Sequence, residues 1–249
     1  MGLRLVRTIL FLLLLHAWSL HAAAGQDLMV AVAANYAPAM ERIISLFTRE
    51  TGIQTRMTVS STGRLYAQIK NKAPFDLFYS ADSRRAELLY AGGECAEPLR
   101  YATGEVVLWS ANKRYCSYGT WQDVVMDNAV HNIAIANPEI APYGTVARKV
   151  LEEANLDKVE AKLIYSANAG QSFQYAVLGA VDAAFIARSH ALSDNGGNGC
   201  AWRVPEAQKI EQKACVISYG RNVKNARRFL DFTLSDKIDA IRRKFGYGK

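Results

Sequence analysis

An α/β fold of two lobes is the architecture the sequence predicts, on three observations. Short apolar runs of strand length alternate with stretches whose apolar residues recur at helical spacing. Four of the strand-to-helix junctions carry small hydrogen-bonding residues, two in the first half of the chain and two in the second. Such alternation lays helices over mostly parallel sheets. Ligands of open α/β sheets sit at the carboxyl ends of strands, where helix N-termini point. Two pairs of such junctions therefore imply two lobes closing on one small ligand.

The chain has 249 residues, and its start is not expected to join the fold. Arg4 and Arg7 precede the apolar run Ile9 to Leu15, and Ala22-Ala23-Ala24 follows. A basic region, an apolar stretch and a small-residue cleavage site make residues 1–24 a secretory signal peptide. The run is short for a membrane span, and no cysteine follows it to carry a lipid. The mature protein is expected to be soluble and exported.

The elements then come in order. Val30 to Ala34 is an apolar strand stopping at Asn35; Met40, Ile43, Ile44 and Phe47 mark the buried stripe of the next helix. Met57 to Ser60 is a second strand, and Ser61-Thr62-Gly63 opens a helix with Leu65, Tyr66 and Ile69 on one side. Asn, Ser and Thr at these places satisfy helix N–H groups that lack partners. Ala73-Pro74-Phe75 turns into the strand Asp76 to Ser80, and Ser83 to Ala91 is a helix stopped by Gly92-Gly93. Val106 to Trp109 and Ile133 to Ala136 are strands. After Asn137-Pro138, the segment Pro142-Tyr143-Gly144-Thr145 opens a helix with Val146, Ala147, Val150 and Leu151 on one face. Leu163 to Tyr165 is a strand, Asn168 to Ser172 opens a helix carrying Phe173, Ala176 and Val177, and Ala183 to Ala187 is a buried strand. Asp194 to Gly199 is a loop, too short for a domain linker.

Composition excludes several classes. The formal charge is +7, and without Arg4 and Arg7 it is 28 basic against 23 acidic residues, or +5. The basic residues are dispersed, so no nucleic-acid stripe forms; Arg242, Arg243 and Lys244 read as a solvated helical face. No serine elbow, metal-binding helix motif or phosphate-binding loop is present. The mature chain keeps only His131 and His190, both expected to be surface or capping residues. No enzyme is expected. The four cysteines, Cys95, Cys116, Cys200 and Cys215, are expected to form disulfides after export, with three connectivities open. The sequence-local pairs Cys95–Cys116 and Cys200–Cys215 are favoured, each closing a loop of about 15–20 residues and adding roughly 3 kcal/mol.

Beyond these local patterns, a longer series of segments resembles a known family. These are Val32-Ala33-Ala34-Asn35-Tyr36, Ser61 to Ile69, Ala73 to Asp82, Tyr101 to Ser110, Ile135 to Gly144, Gln171 to Tyr175 and the close Lys244-Phe245-Gly246-Tyr247-Gly248. In this order and spacing the chain is similar to the molybdate-binding proteins of bacterial ABC importers, which have the type II periplasmic-binding-protein fold with a ligand cleft between two lobes. The resemblance implies a tetrahedral oxyanion, molybdate or tungstate, held by neutral hydrogen bonds, with no cofactor and no direct protein–metal bond. Carried over by position, the first lobe offers Asn35, Ser61 and Thr62, and the second offers the backbone amides of Tyr143 and Ala169. It further implies a periplasmic location, an inner-membrane ABC permease as partner, and a monomer. Lobe 1 would span 26–103 with a C-terminal return over 215–249, and lobe 2 would span 104–214. Relatives often place a ligand-binding tyrosine where this chain has Ala187; Tyr143 stands where they have a small residue, and its hydroxyl is expected to replace the missing one. Ala169 is smaller than the branched residue usual there. A sulfate, phosphate or other anion receptor, or a secreted enzyme acting on an anionic substrate, are the alternative functions.

Overall fold

The computed structural model describes residues 27–248; the expected signal peptide, residues 1–24, lies outside the described residues. β1 (Leu28–Ala33) is a largely buried inner strand of the first lobe. It pairs in parallel with β2 (Thr55–Ser60) on one side and β3 (Leu77–Tyr79) on the other. A single 3₁₀ turn over Ala34–Tyr36 leads into α1 (Ala37–Thr51). Met40, Ile43 and Phe47 are buried on its inner face, and Gly52 ends it with φ 73°. α2 (Thr62–Lys70) buries Leu65 and Ile69, and α3 (Ser83–Ala91) is capped by Asp82, whose carboxylate accepts from the Arg85 N–H at 2.8 Å. β4 (Leu99–Gly104) completes the first pass through this lobe.

The second lobe repeats the plan. It comprises β5 (Val106–Ser110), α4 (Trp121–Met126), β6 (Ile133–Ala136), α5 (Pro142–Glu153), β7 (Leu163–Ser166), α6 (Ala169–Val177), β8 (Ala183–Ala187), α7 (Arg188–Ala191) and β9 (Cys200–Arg203). The chain then returns as β10 (Ile210–Val216), followed by α8 (Val223–Leu234) and α9 (Asp239–Lys244). The sheet orders are β2-β1-β3-β10-β4 and β7-β6-β8-β5-β9. In each, three parallel strands are joined by an antiparallel strand that has arrived from the other lobe: β10 in the first sheet and β5 in the second. Two links cross between lobes. One is Glu105 alone, between β4 and β5; the other is 204–209. Strand pairing thus brings the return into the first sheet at Ile210, ahead of the expected boundary at 215.

Three expectations are corrected here. The disulfide is Cys116–Cys200, not Cys95–Cys116 or Cys200–Cys215. Closeness in sequence misleads because each expected pair has one member in each lobe. Cys116 follows β5 and Cys200 starts β9, its neighbouring strand, where Ser110 and Cys200 are paired. Cys95 and Cys215 are buried together in the first lobe. Arg242 is 3% exposed rather than solvated. It donates to the carbonyls of Thr233 at 2.7 Å and Ser235 at 3.2 Å and pairs with Asp239, so it closes the C-terminal end of α8. His190 is buried in α7, its ring stacked on Phe173 with centroids 5.3 Å apart. Burial pushes its pKa down to about 4, so it is neutral.

Candidate functional site

The carboxyl ends of β1 and β2 in the first lobe face those of β6 and β7 in the second. Between them lies a small cavity lined by Ala33, Asn35, Ser61, Thr62, Ala81, Tyr143 and Ala169 among others. All five residues singled out from sequence therefore stand on one wall system, although they come from four separate junctions. Among the described residues that line it, none carries a formal charge. Its polarity comes from helix starts: α1 through its leading 3₁₀ turn, and α2, α5 and α6 directly. The first N–H groups of a helix have no helical acceptor, and the helix dipole makes that end positive.

Each junction is held by local chemistry. Ser61 caps α2, its hydroxyl oxygen accepting from the Arg64 N–H at 3.4 Å. The Thr62 hydroxyl oxygen accepts from the Ala81 N–H at 3.1 Å. In both cases the oxygen is engaged by backbone, which leaves the hydroxyl proton to be donated elsewhere. Asn168 caps α6 by accepting from the Gln171 N–H at 3.0 Å, which fixes Ala169 as the first helical residue. Pro142, with no N–H, opens α5, where its fixed φ suits the first turn. Tyr143 then follows as the first helical residue of that turn with an N–H.

The lobes touch around this cavity. The Gly63 N–H donates to the Ile140 carbonyl at 2.9 Å. Arg85 donates to the Glu139 carbonyl at 2.8 Å, and the Ser189 hydroxyl to the Asn35 carbonyl at 2.6 Å. A Cβ on Gly63 would lie 3.0 Å from the backbone of Ile140, so only glycine permits this approach without movement. On the open side a wider groove shares Ala34 and Asn168 with the cavity and carries Arg42, Arg64 and His190.

The Tyr143 side chain crosses to the first lobe. Its hydroxyl oxygen accepts from Gln212 Nε2 at 3.1 Å and from Asn35 Nδ2 at 3.4 Å. The hydroxyl also neighbours that of Tyr247, which donates to the Asn35 carbonyl at 2.6 Å. Burial, first of all, holds the Tyr143 phenol well above its usual pKa, so it stays neutral. The hydroxyl oxygen expected from sequence to face a ligand thus accepts from protein donors, while its own proton, like those of Ser61 and Thr62, is left to be donated. Ala187 lies in the same buried cluster as Tyr143, Ala169 and Ala33. Gln212, Tyr101 and Tyr247 were not identified from sequence. The available signal was Gln212 itself: Ile210, Gln212 and Ala214 occupy the inward positions of an alternating strand, and a glutamine there demands partners.

Comparison with known proteins agrees with this geometry. Residues 28–248 match the family described as bacterial extracellular solute-binding protein. The molybdate-binding protein ModA of Azotobacter vinelandii is 34% identical over 235 residues, covering 91% of this chain and 92% of that protein. The solved Azotobacter vinelandii periplasmic molybdate-binding protein superposes with a TM-score of 0.84 at 31% identity, over 90% of this chain and 99% of that one. The substrate-binding domain of a putative molybdenum ABC transporter from Clostridium difficile superposes with a TM-score of 0.65 at 25% identity, over 90% and 98%. With two matching lobes, a shared cleft and a family match over nearly all its length, the chain belongs to the bacterial extracellular solute-binding proteins.

Proposed function

We propose that the protein is an exported receptor that captures a tetrahedral oxyanion, molybdate or tungstate, between its lobes and delivers it to an ABC permease in the inner membrane. The observation that carries this reading is the uncharged cavity on which helix starts of both lobes converge. A dianion there meets N–H donors and positive helix ends instead of a counter-ion. The ligand set is the backbone N–H groups at Asn35, Thr62, Tyr143 and Ala169 with the hydroxyls of Ser61 and Thr62. Hydrogen bonds to a charged group contribute roughly 1.5–3 kcal/mol each, so several together offset dehydration of the dianion.

The same chemistry argues for selection. Phosphate near neutral pH keeps a proton that needs an acceptor, and no carboxylate lines the cavity among the described residues. Sulfate matches molybdate in charge and shape, so discrimination against it rests on size. The leader-like pattern of residues 1–24 and the superposed relative, itself a periplasmic protein, support a periplasmic location. No helix among the described residues is long and apolar enough to cross a membrane. The protein acts as a monomer, binding one anion per chain.

Titration calorimetry with molybdate, tungstate, sulfate and phosphate tests the reading. It predicts one-to-one binding of molybdate or tungstate, no turnover, and weaker binding of sulfate and phosphate. Absence of binding by both metal oxyanions refutes it.

A further inference from the structure

Gln212 is fully buried in β10, immediately after the second inter-lobe link, where the pairing with β4 shifts register. Its side-chain oxygen accepts from Asn35 Nδ2 at 2.7 Å and from the Tyr101 hydroxyl at 2.8 Å, and its Nε2 donates to the Tyr143 hydroxyl at 3.1 Å. The two carboxamides fix each other's orientation, because turning over the Gln212 amide alone would set its NH₂ against that of Asn35. Gln212, Asn35 and Tyr101 belong to the first lobe; Tyr143 belongs to the second. Gly104, at the end of β4, leaves the room for this meeting. A Cβ there would lie 2.0 Å from the Tyr143 hydroxyl and 2.4 Å from Gln212 Nε2.

We propose that Gln212 is a positioning residue for ligand capture: its carboxamide orients Asn35 and locks the Tyr143 hydroxyl across the cleft, so that the closed pairing of the lobes depends on it. Gln212 touches no ligand itself. It acts on the cavity through two residues that line it. The lock is made of neutral groups, so it closes the lobes without adding charge beside a dianion. The inference rests on the oxyanion reading for its ligand, and its physical content is the inter-lobe bond.

The test is a double-variant cycle with Gln212→Met, which keeps length and removes the amide, and Tyr143→Phe, read by molybdate calorimetry. Gln212→Met is expected to weaken binding about tenfold or more. In the Tyr143→Phe background it should weaken binding much less, because the shared bond is already gone. Equal affinity in Gln212→Met, or losses that simply add, overturns the proposal. A parent protein that binds neither molybdate nor tungstate refutes the oxyanion reading, and the lock is then judged by X-ray scattering of ligand-free protein. There Gln212→Met must show a larger radius of gyration than the parent, and identical radii overturn it.

Independently, the two thiols of the first lobe are neighbours. Cys95 is bridged antiparallel to Ile217, two residues after Cys215 on the same strand direction, and Ala96 donates to the Val216 carbonyl at 2.8 Å. Both cysteines lie in one buried cluster with Phe78 and Leu89. We infer that Cys95 and Cys215 form a second disulfide when the chain folds in an oxidising compartment. Their two thiols lose two protons and two electrons to the reactive disulfide of a thiol–disulfide oxidoreductase; one S–S bond forms here as that one is reduced to a dithiol. Once folded, the Cys215 thiol is buried beside that of Cys95, and this neighbour and the burial push its pKa well up and leave it unreactive. Oxidation therefore precedes burial. Protein recovered from an oxidising compartment, unfolded in N-ethylmaleimide and mapped without reductant, should yield a linked Cys95–Cys215 peptide. Recovery of both cysteines in alkylated form overturns the inference.

Discussion

Replacing Gly63 by alanine separates closure from folding. Gly63 is the second residue of α2, and its N–H reaches the Ile140 carbonyl of the other lobe at 2.9 Å. The added methyl carbon would stand 3.0 Å from both Cα and O of Ile140 and 3.1 Å from its Cβ. Backbone atoms cannot swing aside, so the lobes must separate by a few tenths of an ångström. That lengthens the inter-lobe hydrogen bond, worth about 0.5–1.5 kcal/mol, and adds overpacking strain of about 1 kcal/mol or more. A loss of about 2 kcal/mol in binding follows, near thirtyfold in Kd. The clash exists only when the lobes meet. Within α2, alanine is the better helix former by up to about 1 kcal/mol. Ligand-free Gly63→Ala, whose lobes can part to relieve the clash without unfolding, should therefore melt close to the parent temperature while binding molybdate more weakly. Calorimetry and thermal melts on the same preparation read both quantities. Parent-like affinity, or an affinity loss matched by a fall in the ligand-free melting temperature, refutes the reasoning.

Thr62→Val should weaken oxyanion binding by roughly 1.5–3 kcal/mol and also lower stability, because the Ala81 N–H loses its acceptor; calorimetry with urea unfolding checks both effects. Cys116→Ser with Cys200→Ser removes a link between residues 84 apart in sequence, and urea midpoints should reveal a loss on the order of 4 kcal/mol. His190 is held neutral with a pKa near 4, below its unfolded value. The unfolded chain then binds more protons between the two values, so stability is full above pH about 6.5 and falls as pH drops toward 4, by up to roughly 3 kcal/mol. In His190→Gln the part of that fall above pH about 5 should vanish from urea titrations; a persisting slope there refutes the assignment. Because the proposed donors are uncharged, molybdate affinity should change little between low and moderate salt once long-range steering is screened, which calorimetry at two ionic strengths measures.

Much of the scaffold was legible because its determinants are local. The stripe Met40, Ile43 and Phe47 and the run Val30 to Ala33 carry their burial in their own spacing. Ser61 and Asn168 announce helix starts because a cap bonds to the N–H groups just beyond it. Those same junctions supply the cavity, so its wall could be named in advance, with the resemblance selecting Tyr143 and Ala169. What tertiary structure alone decided involves groups far apart in the chain. The return strand β10 belongs to the first sheet, which puts Cys200 and Cys215 in different lobes and defeats pairing by sequence distance. The Tyr143 hydroxyl found Gln212, 69 residues away, and Tyr247 found Asn35, 212 residues away. Arg242 and His190, polar in sequence, are buried because carbonyls of a helix end and the face of Phe173 receive them. Local patterning determines which segments become strands and helices. Which side chains meet across the cleft depends on a chain that crosses between lobes twice, and no local spacing encodes that crossing.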